Sequence, residues 1–223
     1  MTPGIPDTNG APQPESLPIF PLGGALLLPR AKLPLNIFEP RYLNMVEDAL
    51  AGLRTIGMVQ PRHAYGHPVP DDAPLFEVGC AGRITSFSET GDGRYLITLT
   101  GISRFVVVRE LEMMRGYRRV AADYGRFADD LNEETGKIAG RGRLLSTVRA
   151  FFAKSGMEAD WPALEAVPDD TLVSALAMVC PLEPTEKQAL LECPGLAERG
   201  EFLLNLLEIM TRAGDEETSK LRH

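Results

Sequence analysis

The residues best placed for chemistry lie together in the hexapeptide IFEPRY, residues 37–42. It brings a carboxylate (Glu39), a guanidinium (Arg41) and two aromatic rings (Phe38 and Tyr42) into one short stretch. Charge and aromatic surface this close together could bind a ligand, and a guanidinium is well suited to hold a carboxylate. The hexapeptide is therefore the first candidate for a binding site.

The same hexapeptide could instead build the fold. Pro40 suits the first position of a helix, and Glu39 before it could accept hydrogen bonds from the free N–H groups of that helix. Ile37 and Phe38 would then be core residues. This structural interpretation explains all of the hexapeptide except its last two residues, so both interpretations stay open.

The remaining candidates for catalysis are weak. The chain has no phosphate-binding loop and no GxSxG motif. His63 and His67 are four residues apart, but they lie in a Gly- and Pro-rich loop without further metal ligands nearby, which favours a loop pair over a zinc site. Cys80, Cys180 and Cys193 are widely spaced, and no neighbouring base would activate them. The sequence therefore favours binding over catalysis and predicts no metal and no cofactor.

The charged residues of the first half have simple structural interpretations. The pairs Asp71-Asp72 and Asp129-Asp130 are better explained by loop solvation and helix capping than by an acid–base dyad, because adjacent side chains point apart. Several arginines could line a groove for carboxylates, although a solvated sheet face balanced by glutamates is the favoured interpretation. These arginines are Arg83, Arg94, Arg104, Arg109, Arg118 and Arg119.

Charge and composition exclude several classes of function. The chain has 223 residues and a net charge of −8, with 12 basic and 13 acidic residues in 1–125 but 11 and 18 in 126–223. An acidic chain without a basic block is a poor candidate for binding a phosphate backbone. Three cysteines suit a reducing compartment. Without an N-terminal signal pattern or a long apolar run, the chain is expected to be cytoplasmic and not associated with a membrane.

The pattern of residues predicts a β-rich part followed by a helical part. Residues 1–16 are predicted to be a disordered arm, because they contain little to bury. Residues 17–125 contain short strands around 18–20, 25–28 and 33–38, a helix from 40 to 51, and a hairpin that turns at Asp92-Gly93. Gly101 is predicted to bend its strand or to admit a neighbouring segment. Residues 126–213 are predicted to form a helical bundle and 214–223 a frayed tail.

Several motifs in a fixed order then indicate a family. LPIFPLGGALLLPRAKLPLNIFEPRYLNMVEDAL, residues 17–50, closely resembles the opening of the N-terminal substrate-binding domain of Lon proteases, and most of all the stand-alone bacterial members. The resemblance continues through VGCAGRITSFSETGDGRYLITLTGISRF, YRRVAADYGRFADDL and CPLEPTEKQALLE, and it covers roughly 17–213. It implies an α+β fold, namely a PUA-like β pseudobarrel with one inserted helix, followed by an all-helical bundle.

The resemblance also implies a role in recognising unfolded or tagged polypeptides. The phosphate loop of the Lon ATPase and the Ser–Lys dyad of its protease are not in this sequence. We therefore expect a non-catalytic protein that binds polypeptide segments or a protein partner, in proteolysis or protein quality control. Binding could add a strand to a sheet edge, or place apolar side chains in a groove between barrel and bundle. The site residues that we predict are Phe20, Ile37, Phe38, Glu39, Arg41 and Tyr42.

Two alternatives remain open at the level of sequence. PUA-like barrels also occur in RNA-binding proteins, although the acidic balance opposes RNA binding. A hydrolase with a dispersed site is the other, and it would require a Ser, Cys or His within hydrogen-bond reach of a base in a pocket. The oligomeric state is not predicted.

Overall fold

The computed structural model describes residues 16–66, 68–132 and 136–220, with side chains described as far as residue 212. The predicted disordered arm lies outside these residues except for Ser16, which begins the first strand. Among the described residues, the first part of the chain contains six strands: β1 Ser16–Pro21, β2 Lys32–Ile37, β3 Thr55–Val59, β4 Val78–Glu89, β5 Tyr95–Met114 and β6 Tyr117–Asp123. Helix α1, Pro40–Ala51, lies between β2 and β3.

The strands close into a barrel. The order in the sheet is β2-β5-β4-β3-β1-β6, and β6 also pairs with β5, which closes the ring. Strand β5 is long enough to do this because its first half pairs with β2 while its second half pairs with β6. The ring and its inserted helix form the pseudobarrel that the sequence resemblance implies, so the predicted α+β fold class is confirmed.

The predicted β-hairpin is present, with Gly93 at a φ of 77° in the turn between β4 and β5. This left-handed conformation is open to glycine without steric cost. The predicted strand at 25–28 is wrong. Leu26, Leu27 and Leu28 are buried, but they lie in an unpaired segment between β1 and β2. An aliphatic run predicts burial more reliably than it predicts pairing.

The barrel interior is filled from most of its strands. Phe105 of β5 is fully buried, and its ring centroid lies 6.0 Å from that of Tyr124. Around these rings packs a cluster of buried residues: Leu17, Ile19, Val59, Ala81 and Val120. Burial of this apolar surface is the main force that holds the barrel together.

Packing divides the chain into two compact units. The first contains the barrel and also residues 181–192, and the second contains 134–180 and 193–223. A short 3₁₀ segment, Gly125–Leu131, and helix α5, Pro184–Glu192, therefore belong with the strands. The predicted division at 125/126 differs from these units, since it assigned α5 to the helical half.

The contacts of α5 explain its place in the first unit. Gln60 of the segment after β3 donates to the Pro184 carbonyl over 3.1 Å, and Gln188 donates to the Val78 carbonyl over 3.0 Å. Buried polar groups need hydrogen-bond partners, and here α5 and the barrel supply them to each other.

In its described part, the second unit consists of helices and the segments that connect them. Its helices are α2 Arg141–Ser155, α3 Trp161–Ala166, α4 Asp169–Val179 and α6 Leu196–Lys220, and α2 and α4 both pack on α6. The helix α6 continues beyond the predicted end of the bundle at residue 213. In the described ranges, no helix combines the length and the apolar character that a membrane crossing needs.

Candidate functional site

All six predicted site residues line two adjoining depressions on the first unit. The apolar depression, about 290 Å³, is formed by the end of β1, by β2 and by the start of α1. The proline depression, about 560 Å³, is formed by the start of α1 and by the loop at 68–71. The two depressions share Phe38, Glu39 and Val69. The structure thus brings the predicted residues together, although their role in binding stays a prediction.

The wall of the apolar depression consists of stacked rings and aliphatic groups. The ring centroids of Phe20 and Tyr42 are 4.3 Å apart, and Ile37 is buried beside them. Strand β2 pairs with β5 but not with β1 in the described chain, although both β1 and β2 line this depression. The depression therefore lies next to an edge strand, where the backbone of another chain can add.

Phe38 is a large apolar side chain of the site that is exposed to solvent. The structural interpretation of the hexapeptide placed it in the core, and this is wrong, because 53% of its surface is exposed. Phe38 follows Ile37, the buried last residue of β2, and successive side chains of an extended chain point to opposite faces, so Phe38 points outward. It borders both depressions. The guanidinium of Arg94 lies 5.7 Å from its ring centroid.

Glu39 occupies the N-cap position of α1, as predicted, but its side chain makes no capping hydrogen bond. Its carboxylate instead accepts hydrogen bonds from Arg41, at 3.0 Å from Nε and 2.9 Å from Nη2. The capping prediction is therefore wrong for the side chain. A charge-assisted pair with a nearby guanidinium is stronger than a bond to a neutral N–H group, which explains the choice.

Arg41 connects helix α1 to the loop at 68–71. Besides Glu39, its guanidinium donates to the Asp71 carboxylate through Nη1 and to the Val69 carbonyl over 2.8 Å. It also lies over the Tyr42 ring, 4.6 Å from the centroid. All three of its nitrogens donate hydrogen bonds inside the protein. Arg41 therefore has the structural explanation that the sequence did not provide, and it builds a wall of the site.

The loop residues of the proline depression were missed in the sequence. Pro68, Val69, Pro70 and Asp71 line it, whereas their composition predicted only a solvated loop. Val69 is buried between two exposed prolines, and one apolar residue in such a loop is a weak sign that the loop packs back on the domain. His67 lies outside the described residues.

Burial changes the acidity of the Tyr42 phenol. Desolvation raises the pKa of Tyr42 from 10.0 to about 12, with a smaller lowering by Arg41 and smaller increases from Glu39 and Asp71. Burial also raises the pKa of Tyr117 to about 12, helped by its bond to Asp48, and it raises the pKa of Tyr124. All three phenols are thus neutral in the folded protein well above pH 10.

These shifts predict a loss of stability at alkaline pH. In the unfolded chain the phenols lose their protons near pH 10, whereas in the folded chain they keep them, so unfolding releases protons above that pH. We expect the free energy of unfolding to fall steadily from about pH 10 to about pH 12. Urea titrations across this range, followed by tyrosine absorbance, would measure the fall. The Tyr42→Phe variant should show a shallower one, and a slope equal to that of the unaltered chain would contradict the assignment for this residue.

Two arginines predicted at a solvated face or groove are buried instead. Arg104 forms hydrogen bonds with Asp130, and Arg118 with Glu110 and with the Ala73 carbonyl over 2.8 Å. Both interpretations offered for them are therefore wrong. In the described parts of the chain, no group of three or more His, Cys, Asp or Glu residues is arranged to hold a metal ion.

Comparison with known proteins places these features in a family context. The family model of the substrate-binding domain of ATP-dependent protease La (LON) matches residues 16–208. Lon protease 2 of Myxococcus xanthus is 28% identical over 198 residues, and the Lon protease of Dictyoglomus thermophilum is 27% identical over 207. The matches cover 87% and 88% of this chain but only 24% and 25% of those proteins, so the chain spans about a quarter of their length.

Solved structures of Lon N-terminal domains have a similar fold. A Lon N-terminal domain protein from Xanthomonas campestris has a TM-score of 0.60 at 26% identity, covering 85% of this chain and 97% of that one. The N-terminal domain of Lon protease from the Mycobacterium avium complex has a TM-score of 0.57 at 14% identity, with 86% and 98% coverage, and supports the fold alone.

Proposed function

Because the chain belongs to the family of Lon substrate-binding domains, we propose that it binds polypeptide segments at the two depressions of its first unit and does so without catalysing a reaction. The bound segment runs beside the β2 edge and places an apolar side chain against Phe38. The proposal combines the two modes of peptide recognition that the fold permits, strand addition and insertion of an apolar side chain.

The observation that carries this proposal is the exposure of Phe38 at the meeting point of both depressions. About half of the surface of this large aromatic ring is in contact with water, and covering it with apolar groups of a ligand lowers the free energy. The surrounding surface is mainly apolar and proline-rich, and edge strand β2 is next to it. Among the described residues that line either depression, none is Ser, Cys or His, which supports binding over hydrolysis.

We expect the Phe38→Ala variant to bind unfolded polypeptides about tenfold more weakly, because an anchoring aromatic residue often carries this much of the binding energy. Its stability should change by less than about 0.5 kcal/mol, since the ring is exposed. Calorimetry or fluorescence anisotropy with a panel of apolar-rich, unstructured peptides would measure the affinity.

The matched control is Phe87→Ala. Phe87 is an exposed phenylalanine of the same unit, with 43% of its surface in water, and it borders neither depression. Its loss should leave peptide affinity unchanged. The proposal fails if the unaltered protein binds no peptide of the panel, or if the two substitutions weaken binding equally.

A further inference from the structure

The surface of the two depressions is acidic as well as apolar. We propose that the site selects segments in which an apolar residue is adjacent to lysine or arginine. This inference rests on the proposed function and specifies its ligand. Its basis is the placement of Glu39 and Asp71 around the exposed ring of Phe38.

The carboxylates outnumber the cations in the walls. Glu39 and Asp71 line the depressions, and Arg41 is the only cation among the described lining residues. Arg41 donates to both carboxylates and to the Val69 carbonyl, so the three ionised side chains together leave one net negative charge. Arg41 and Glu39 are largely covered, with 18% and 17% of their side-chain surface exposed. Asp71 differs in that 56% of its side-chain surface is exposed and only its Oδ1 bonds to Arg41, so Oδ2 remains available as an acceptor.

The charges next to Phe38 and Asp71 do not reverse this balance. Arg94 lies over the Phe38 ring, but its Nε forms an ion pair with Asp92 at 2.9 Å, so the two together add no net charge. Asp72 follows Asp71 in the chain and is exposed, which adds a further negative charge to this part of the surface.

The apolar and acidic groups are close enough to act on neighbouring residues of one ligand. Phe38 and Glu39 are consecutive in the chain and both border the two depressions. A lysine or arginine has a long aliphatic stem that can lie on apolar surface while its charged end reaches a carboxylate. A ligand with a basic residue next to its apolar anchor therefore matches the site, and one with an acidic residue there is repelled.

Three unstructured peptides would test this inference, each with one phenylalanine in a Gly- and Ser-rich background. The residues next to the phenylalanine are lysine, glutamine or glutamate. Anisotropy with the unaltered protein should rank affinity as lysine above glutamine above glutamate, with steps of about two- to fivefold, as expected for exposed ion pairs. The differences should shrink as salt is added, because exposed charges are screened.

Two variants and a control locate the effect. Asp71→Asn and Glu39→Gln should each reduce the preference for lysine over glutamate, and Glu112→Gln, an exposed residue of β5 that borders neither depression, should not. Equal binding of all three peptides would overturn the inference and leave the proposed function intact. If none of the three peptides bound, both the inference and the proposed function would be overturned. The salt dependence of the unaltered protein tests the inference even if a variant fails to fold.

Discussion

Replacing Asp130 with alanine is expected to lower the free energy of unfolding of the first unit by about 3–5 kcal/mol, the cost of removing one partner from a buried ion pair. Asp130 accepts hydrogen bonds from Arg104 at 2.7 Å from Nη2, 2.9 Å from Nε and 2.8 Å from the backbone N–H. Only 4% of the Arg104 side chain and 8% of the Asp130 side chain are exposed. Without the carboxylate, the buried guanidinium would lose the negative charge and the hydrogen bonds that Asp130 supplies.

The effect should be large because Arg104 joins three parts of the first unit. It lies on β5, pairs with Asp130 in the 3₁₀ segment, and donates to the Leu191 carbonyl of α5 over 3.0 Å. Its guanidinium also lies 4.4 Å from the centroid of the Phe127 ring. Loss of its main partner therefore weakens the attachment of both elements to the barrel.

Spectroscopy can separate the two units in this experiment. All five tyrosines lie in the first unit, and the single tryptophan, Trp161, lies in the second. Denaturation followed by tyrosine absorbance should shift to lower urea concentration in the Asp130→Ala variant. Trp161 fluorescence reports whether the second unit unfolds with it.

A double-mutant cycle gives the control for this prediction. Arg104→Met removes the buried charge, so the double variant with Asp130→Ala should be more stable than the sum of the single effects predicts. Asp92→Ala removes an exposed partner of Arg94 and should lower the free energy of unfolding far less than Asp130→Ala does. Additive effects of the two buried substitutions would show that Arg104 and Asp130 are not coupled. An equal loss of stability in Asp92→Ala and Asp130→Ala would contradict the predicted size of the Asp130 effect.

The sequence predicted features that depend on neighbours along the chain. The turn at Gly93 and the start of α1 at Pro40 were found because backbone conformation at each site is set by one or two residues. The placement of Phe20 near the hexapeptide was predicted together with the family resemblance. Local rules and the order of motifs were sufficient for the fold class and for the composition of one wall of the site.

Features that depend on distant partners were missed or wrong. Arg104 interrupts the alternation of buried and exposed residues along β5, because both faces of the strand are buried at 103–105. Its partner Asp130 is 26 residues away and was interpreted as a loop or capping residue. Arg41 was likewise unexplained, because its partners lie in a distant loop. The Val69 carbonyl is 28 residues further along the chain, and Asp71 follows in the same loop. Hydrophobic periodicity carries no information on such polar pairs.

The Gly101→Ala substitution is expected to destabilise the first unit by about 3 kcal/mol or more, which is the upper range for forced overpacking. A Cβ at this position would lie 2.0 Å from the Leu28 carbonyl oxygen and 2.8 Å from its carbon. Both are backbone atoms that cannot rotate away. The segment is also fixed here by bonds from Arg30 N–H to the Gly101 carbonyl at 2.8 Å and from Gly101 N–H to the Ala31 carbonyl at 2.9 Å.

This glycine connects stability to the candidate site. The segment that crosses Gly101 leads directly into β2 at Lys32, and β2 forms one wall of the apolar depression. Displacing the segment should therefore shift β2, so we expect Gly101→Ala to weaken peptide binding even under conditions where the variant stays folded. Thermal unfolding and peptide anisotropy on the same samples measure the two effects.

The control is Gly91→Ala, in the turn between β4 and β5, where an added Cβ meets nothing within 4 Å. Its stability should change by less than about 0.5 kcal/mol, and its peptide affinity should equal that of the unaltered chain. If Gly101→Ala were as stable as Gly91→Ala, the close passage of Leu28 over β5 would be wrong. If it were destabilised but bound peptides with full affinity when folded, the position of β2 would not control the site, and the apolar depression would lose its role in the proposed function.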